Sequence, residues 1–73
     1  MTFKLLESVV LTHDLPEHGL RAGDLGAVVE VYSDDAAEVE FVRGSGQTAA
    51  LLTLGPADVR SVAPTDMPAV RTA

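Results

Sequence analysis

The run Ala37-Glu38-Val39-Glu40-Phe41 alternates apolar with acidic residues at a period of two, and no other stretch limits the fold of this chain so sharply. Successive side chains of a strand point to opposite faces. Ala37, Val39 and Phe41 therefore share one face, and Glu38 and Glu40 share the other. The first set belongs against a core and the second in water. A half-buried strand of this kind needs neighbours, and the sequence supplies them on both sides.

Short apolar and β-branched runs recur along the chain, punctuated by Gly, Pro and Asp, which is the pattern of strands and turns. Residues 8–12 read as a first strand, preceded by Phe3, Leu5 and Leu6 in a helical or irregular stretch. Residues 12–24 form a long polar loop. Residues 25–32 are the clearest strand after the alternating one. If Glu30 points to water, Ala27, Val29 and Val31 point inward. Asp34 and Asp35 lie in a tight turn at residues 33–36. Residues 43–47, with Gly44 and Gly46, close a second hairpin, since glycine accepts the positive φ such turns require. Residues 48–54 form a fourth strand with apolar residues on both faces, Ala50, Leu52 and Leu54 against Ala49 and Leu51. Residues 55–58 read as a short 3₁₀ turn and residues 59–62 as the last strand. The expected core is Ala27, Val29, Val31, Val39, Phe41, Leu52, Leu54 and Val59.

The order of these elements predicts an all-β domain: a small SH3-like barrel of about five antiparallel strands with a short 3₁₀ turn before the last. It would occupy residues 1–63, with residues 64–73 a disordered tail. An open antiparallel sheet covered by an N-terminal helix is the competing architecture.

Charge narrows the function. Eleven acidic residues face five basic ones, a formal net charge of −6. The basic residues Lys4, Arg21, Arg43, Arg60 and Arg71 are scattered, whereas phosphate backbones require clustered cations. A nucleic-acid-binding barrel of the translation-factor type would also need stacking aromatics. The chain has only Phe3, Tyr32 and Phe41, of which Phe41 belongs to the core. A basic protein partner suits the charge better. There is no cysteine, which fits a reducing cytoplasm and removes thiolate metal sites. No apolar run approaches the roughly 20 residues of a membrane span, and residues 1–10 carry Lys4 and Glu7 where a signal peptide would be apolar.

Several segments together resemble a known family. These are Val9-Val10-Leu11-Thr12 with Asp14-Leu15-Pro16, and Gly19-Leu20-Arg21-Ala22-Gly23-Asp24-Leu25-Gly26 with Val28-Val29-Glu30-Val31-Tyr32. They continue with Glu38-Val39-Glu40-Phe41, Leu51-Leu52-Thr53-Leu54 and Asp58-Val59-Arg60. As an ordered set over residues 5–62 they look like the small bacterial family catalogued as domain of unknown function 4926. The turn at Gly23-Asp24 feeding a valine-rich strand is also similar to KOW modules and to barrel subunits of photosystem and nitrile hydratase complexes. The resemblance implies a barrel and a bacterial source and carries over no catalytic residue. Small acidic domains of this kind also resemble toxin-neutralising partners in size and charge.

Candidate chemistry is sparse. His13, Asp14 and His18 share one loop and offer metal-ligand atoms, but their spacing matches no metal motif, so no metal or other cofactor is expected. Ser8, Ser33, Ser45 and Ser61 have no local nucleophile signature, so the chain does not read as an enzyme. Gly44-Ser45-Gly46 lacks the helix start that a phosphate loop needs. The group that stands out is acidic. Glu38 and Glu40 share an outer face, Glu30 lies on the paired strand, and Asp34 and Asp35 sit at the hairpin end. Leu51 is either bent into the core or an exposed anchor. The expectation is a small acidic protein-interaction module, a neutraliser, inhibitor or accessory subunit. It would bind a basic partner through Glu30, Asp34, Asp35, Glu38, Glu40 and Leu51.

Overall fold

The computed structural model describes residues 2–42 and 48–63. Five strands follow one another: β1 (Ser8–Leu11), β2 (Leu25–Ser33), β3 (Ala36–Val42), β4 (Thr48–Leu54) and β5 (Val59–Ser61). All pairings are antiparallel, in one sheet of order β4-β3-β2-β1-β5. The all-β, five-stranded expectation holds, with strand limits within a residue of those read from the sequence. The expected glycine hairpin at 43–47 and the expected tail at 64–73 lie outside the described residues.

The sheet cannot be flat. Its two edge strands, β4 and β5, are consecutive in the chain. Five flat strands would hold their edges about 19 Å apart. The link from Leu54 to Val59 is a single turn in which the Asp58 N–H donates to the Gly55 carbonyl at 3.0 Å. Such a turn plus its two flanking steps spans about 15 Å at most. The sheet therefore rolls until its edges meet at this corner. This is the turn expected before the last strand. A 3₁₀ helix of full length lies elsewhere, at Pro16–His18 in the long loop.

Rolling encloses one core: Phe3, Val9, Leu11, Leu20, Val28, Ala37, Val39, Phe41, Leu54 and Val59. The alternation of β3 sets its inner face as expected, with Ala37, Val39 and Phe41 buried. Leu52 and Val31 pack against the cluster from partly buried positions. Ala27 and Val29 do not belong to it, and here the sequence-based register is corrected. Val28 pairs with Val39 and Glu30 with Glu38, so β2 carries one extra residue, Val29, at a bulge. A bulge shifts the strand's phase by one. Glu30 faces out and Val31 in, as alternation requires, but upstream of the bulge Gly26 and Val28 face in. A second shift at Tyr32 brings the hairpin to its turn.

The long loop is ordered by its own residues. Asp24 N–H donates to the Arg21 carbonyl at 3.0 Å, closing a turn whose third residue is Gly23 at φ 96°. That φ requires glycine, which explains the Gly23-Asp24 sequence. The Asp24 carboxylate accepts the Arg21 N–H, and that of Asp14 accepts the Ala22 N–H, each at 2.9 Å. Residues 4–7 form a turn in place of a helix: Glu7 N–H donates to the Lys4 carbonyl at 3.0 Å.

Candidate partner-docking face

The β2–β3 hairpin builds the acidic face. Glu30 and Glu38 are direct register partners, and Glu40 lies two residues beyond Glu38 on the same face of β3. Directly opposed side chains on one sheet face stand about 5 Å apart, so Glu30 and Glu38 repel each other across the ladder. Asp34 and Asp35 occupy the exposed turn that ends the hairpin. The structure thus brings together all five acidic residues named from the sequence.

Among the described residues, the side-chain bonds on this face come from neutral groups. The Tyr32 hydroxyl donates to Glu38 Oε2 at 2.6 Å, and Thr48 Oγ1 donates to Glu40 Oε2 at 3.0 Å. The Tyr32 contact holds the phenol above its ordinary pKa, because losing its proton would set a second negative charge against Glu38. The Glu30 and Asp34 carboxylates have no hydrogen-bond or ionic partner among the described residues. Hydroxyl donors orient the carboxylates without cancelling their charge, so the hairpin presents a negative field to solvent. Leu51 is the register partner of Glu40 on the β4 side, and 54% of it is exposed. Of the two readings of Leu51, the exposed one holds.

The polar loop residues do not gather into a metal site. Among the described residues no group of three or more His, Cys, Asp or Glu side chains could hold an ion. His18 is exposed in the 3₁₀ helix, and Asp14 is committed to the Ala22 N–H. His13 does something the sequence did not reveal. Its Nε2 lies 2.8 Å from Asp58 Oδ1, and its Nδ1 lies 3.2 Å from the Asp14 carbonyl oxygen. Both neighbours are acceptors, so both contacts are hydrogen bonds at once only when the ring is protonated. Asp58 also accepts the Gly55 N–H at 2.9 Å, while Thr12 donates to the Ala57 and Asp58 carbonyls. The group ties the end of β1 to the corner where the sheet's edges meet.

This corner carries a pH dependence. The hydrogen bond to Asp58, then that to the Asp14 carbonyl, raises the His13 pKa above its ordinary value. The Gly55 N–H, then His13, lowers that of Asp58. A raised histidine pKa stabilises the fold below the unfolded value, about 6.5, and that contribution disappears as pH rises through the folded value. A lowered aspartate pKa stabilises above about 3.9 and is lost as pH falls through the folded value. The pair therefore contributes most between about pH 4 and 6.5. The melting-temperature difference between the natural chain and His13→Gln should be larger at pH 5.5 than at pH 8.5. An equal difference at both values would show that the contact is not ionic.

Residues 5–61 match the family described as Domain of unknown function (DUF4926). The chain belongs to that family. The match runs from the turn before β1 to the end of β5, so it covers all five strands of this chain. No curated protein and no solved structure matches the chain.

Proposed function

We propose that this DUF4926 domain is a non-catalytic protein-interaction module whose β2–β3 hairpin docks a basic partner. The observation that carries the reading is the convergence of Glu30, Glu38 and Glu40 on one outer face, with Asp34 and Asp35 at its end and, among the described residues, only neutral hydroxyls bonded to its carboxylates. Opposed carboxylates cost stability, and a cationic partner would offset that cost. Leu51 gives the patch an apolar border beside Glu40. The partner is a target to be neutralised or inhibited, or the main chain of an assembly in which this domain is an accessory subunit. The strand order and the rolled sheet support reading the domain as an SH3-like barrel. The cysteine-free composition supports a cytoplasmic setting. No helix among the described residues is long and apolar enough to cross a membrane.

Nucleic-acid binding has less support. Phe3 and Phe41 are buried, and Tyr32, the remaining aromatic, is bonded to Glu38. A phosphate backbone approaching Tyr32 would meet the carboxylates first.

The test is Glu38→Lys combined with Glu40→Lys. Partner captured from the host by the natural chain is measured by surface plasmon resonance at two salt concentrations, with circular dichroism as a check on folding. The association rate at low salt should fall about tenfold or more, and the gap should narrow as salt screens the field. Equal association rates at low salt would reduce the face to a solvated surface.

A further inference from the structure

The turn before β1 holds an exposed leucine in a conformation that suits glycine. Residues 4–7 close on the bond from the Glu7 N–H to the Lys4 carbonyl, and Leu6, the third residue, has φ 67°. A turn with positive φ at its third residue favours Gly or Asn there. Leu6 also opens a bulge against β2. Its N–H donates to the Val28 carbonyl at 2.7 Å, while the Val28 N–H donates to the Glu7 carbonyl at 2.9 Å. The first residue of such a bulge is ordinarily a left-handed glycine. Among the described residues no other non-glycine has positive φ. Leucine therefore strains the backbone at this point. Its side chain gains nothing from the core in exchange. Leu6 is 75% exposed and Leu5 61%, and neither packs against the core cluster.

The position of the turn connects it with the acidic face. Leu6 is bonded to Val28, and Glu30 follows two residues along β2, about 7 Å further on. Lys4 and Glu7 at the ends of the turn carry opposite charges, so the turn itself has no net charge. On the other flank, exposed Leu51 of β4 is the register partner of Glu40. In the order β4-β3-β2-β1, the carboxylates of β3 and β2 thus lie between two exposed apolar sites.

We infer that the Leu5–Leu6 turn is an apolar anchor for the basic partner, whose docking segment is therefore amphipathic: an apolar side chain covers Leu6 while cations meet Glu30 and Glu38. A purely cationic segment would leave both leucines in water and the strain at Leu6 uncompensated. A lipid surface suits the turn less, because a net charge of −6 holds the chain away from anionic headgroups. The carboxylates attract the segment from a distance, and the leucine contact slows its departure. This assignment rests on the acidic docking face proposed above, and the two can fail separately.

Two synthetic peptides of equal charge serve as probes, one alternating lysine with leucine and one alternating lysine with serine. Calorimetric titration of the full chain should show the leucine peptide binding about tenfold more tightly. Leu6→Gly should bind both peptides alike, and its melting temperature should equal or exceed that of the natural chain, because glycine relieves the strain. Charge reversal at Glu38 and Glu40 to Lys should weaken both peptides together. A leucine preference that persists in Leu6→Gly would overturn the inference, as would one that is lost only in Leu51→Ser. A lower melting temperature for Leu6→Gly would show that Leu6 serves the fold. Self-association of the natural chain that Leu6→Gly abolishes, followed by sedimentation equilibrium, would assign the turn to a second copy instead. Charge reversal without effect on either peptide would sink the acidic face, and with it the cationic half of this assignment.

Discussion

Truncating Phe41 to alanine is expected to remove most of the domain's stability. Phe41 is the largest fully buried side chain, with 2% of its surface exposed. It lies on β3, the strand that joins the β2 ladder to the β4 ladder, and its register partners are Gly26 and Ala50. Neither neighbour can grow into the space a smaller side chain would leave. Collapse would have to come from backbone movement in a strand bonded on both sides. Removing a buried phenylalanine typically costs about 3–5 kcal/mol when the site cannot close. Stabilities near 0.05–0.15 kcal/mol per residue give a chain of this length about 4–11 kcal/mol in all. Phe41→Ala should therefore be largely unfolded at room temperature or melt far below the natural chain. Thermal and urea unfolding followed by circular dichroism would show it. A cooperative transition close to that of the natural chain would mean the ring is not part of the core.

The strand on which Phe41 lies was fully legible in the sequence, and the one beside it was not, for a physical reason. Alternation in β3 runs unbroken from Ala37 to Phe41, so a single reading fixes both faces. β2 contains two bulges, and each inverts the phase of what precedes it. Alternation counted back from the turn puts Glu30 outward, as the structure does, but carried upstream through Val29, the bulged residue, it points Ala27 and Val29 into the core in place of Gly26 and Val28. Nothing in Gly26-Ala27-Val28-Val29 marks the shift, because three of the four residues are apolar and either phase buries something. The acidic face is untouched by the phase shift because Glu30, Glu38 and Glu40 lie on the turn side of that bulge or on the regular strand. The His13–Asp58 contact was out of reach for another reason. The two residues are 45 positions apart, and they meet only because the sheet rolls and brings its last turn to the end of β1. A local motif search could see His13, Asp14 and His18 together but not the partner that engages the ring.

Gly26 converts the same geometry into the second large expected effect. It is the buried residue of β2 opposite Phe41. A Cβ there would lie 2.7 Å from Val39 Cγ1, 2.9 Å from Phe41 Cε1 and 3.1 Å from Phe41 Cδ1. Contacts below about 3 Å require something to move, and both neighbours are at most 2% exposed. The aromatic ring thus covers the bare backbone of the glycine, and the glycine is what gives the ring its place. Overpacking of this kind costs about 1–3 kcal/mol, and a β-branched residue should exceed that. Gly26→Ala should lower the denaturation midpoint clearly, and Gly26→Val should prevent folding. The two sites also share one volume, so they should couple by about 0.5–3 kcal/mol. Gly26→Ala in a Phe41→Leu background should cost less than in the natural chain, because the ring atoms at 2.9 and 3.1 Å are gone while the Val39 contact remains. A double-mutant cycle by urea unfolding measures this directly. Strict additivity would show that the ring does not rest on Gly26, and that Val39 alone holds β2 at its distance from the core.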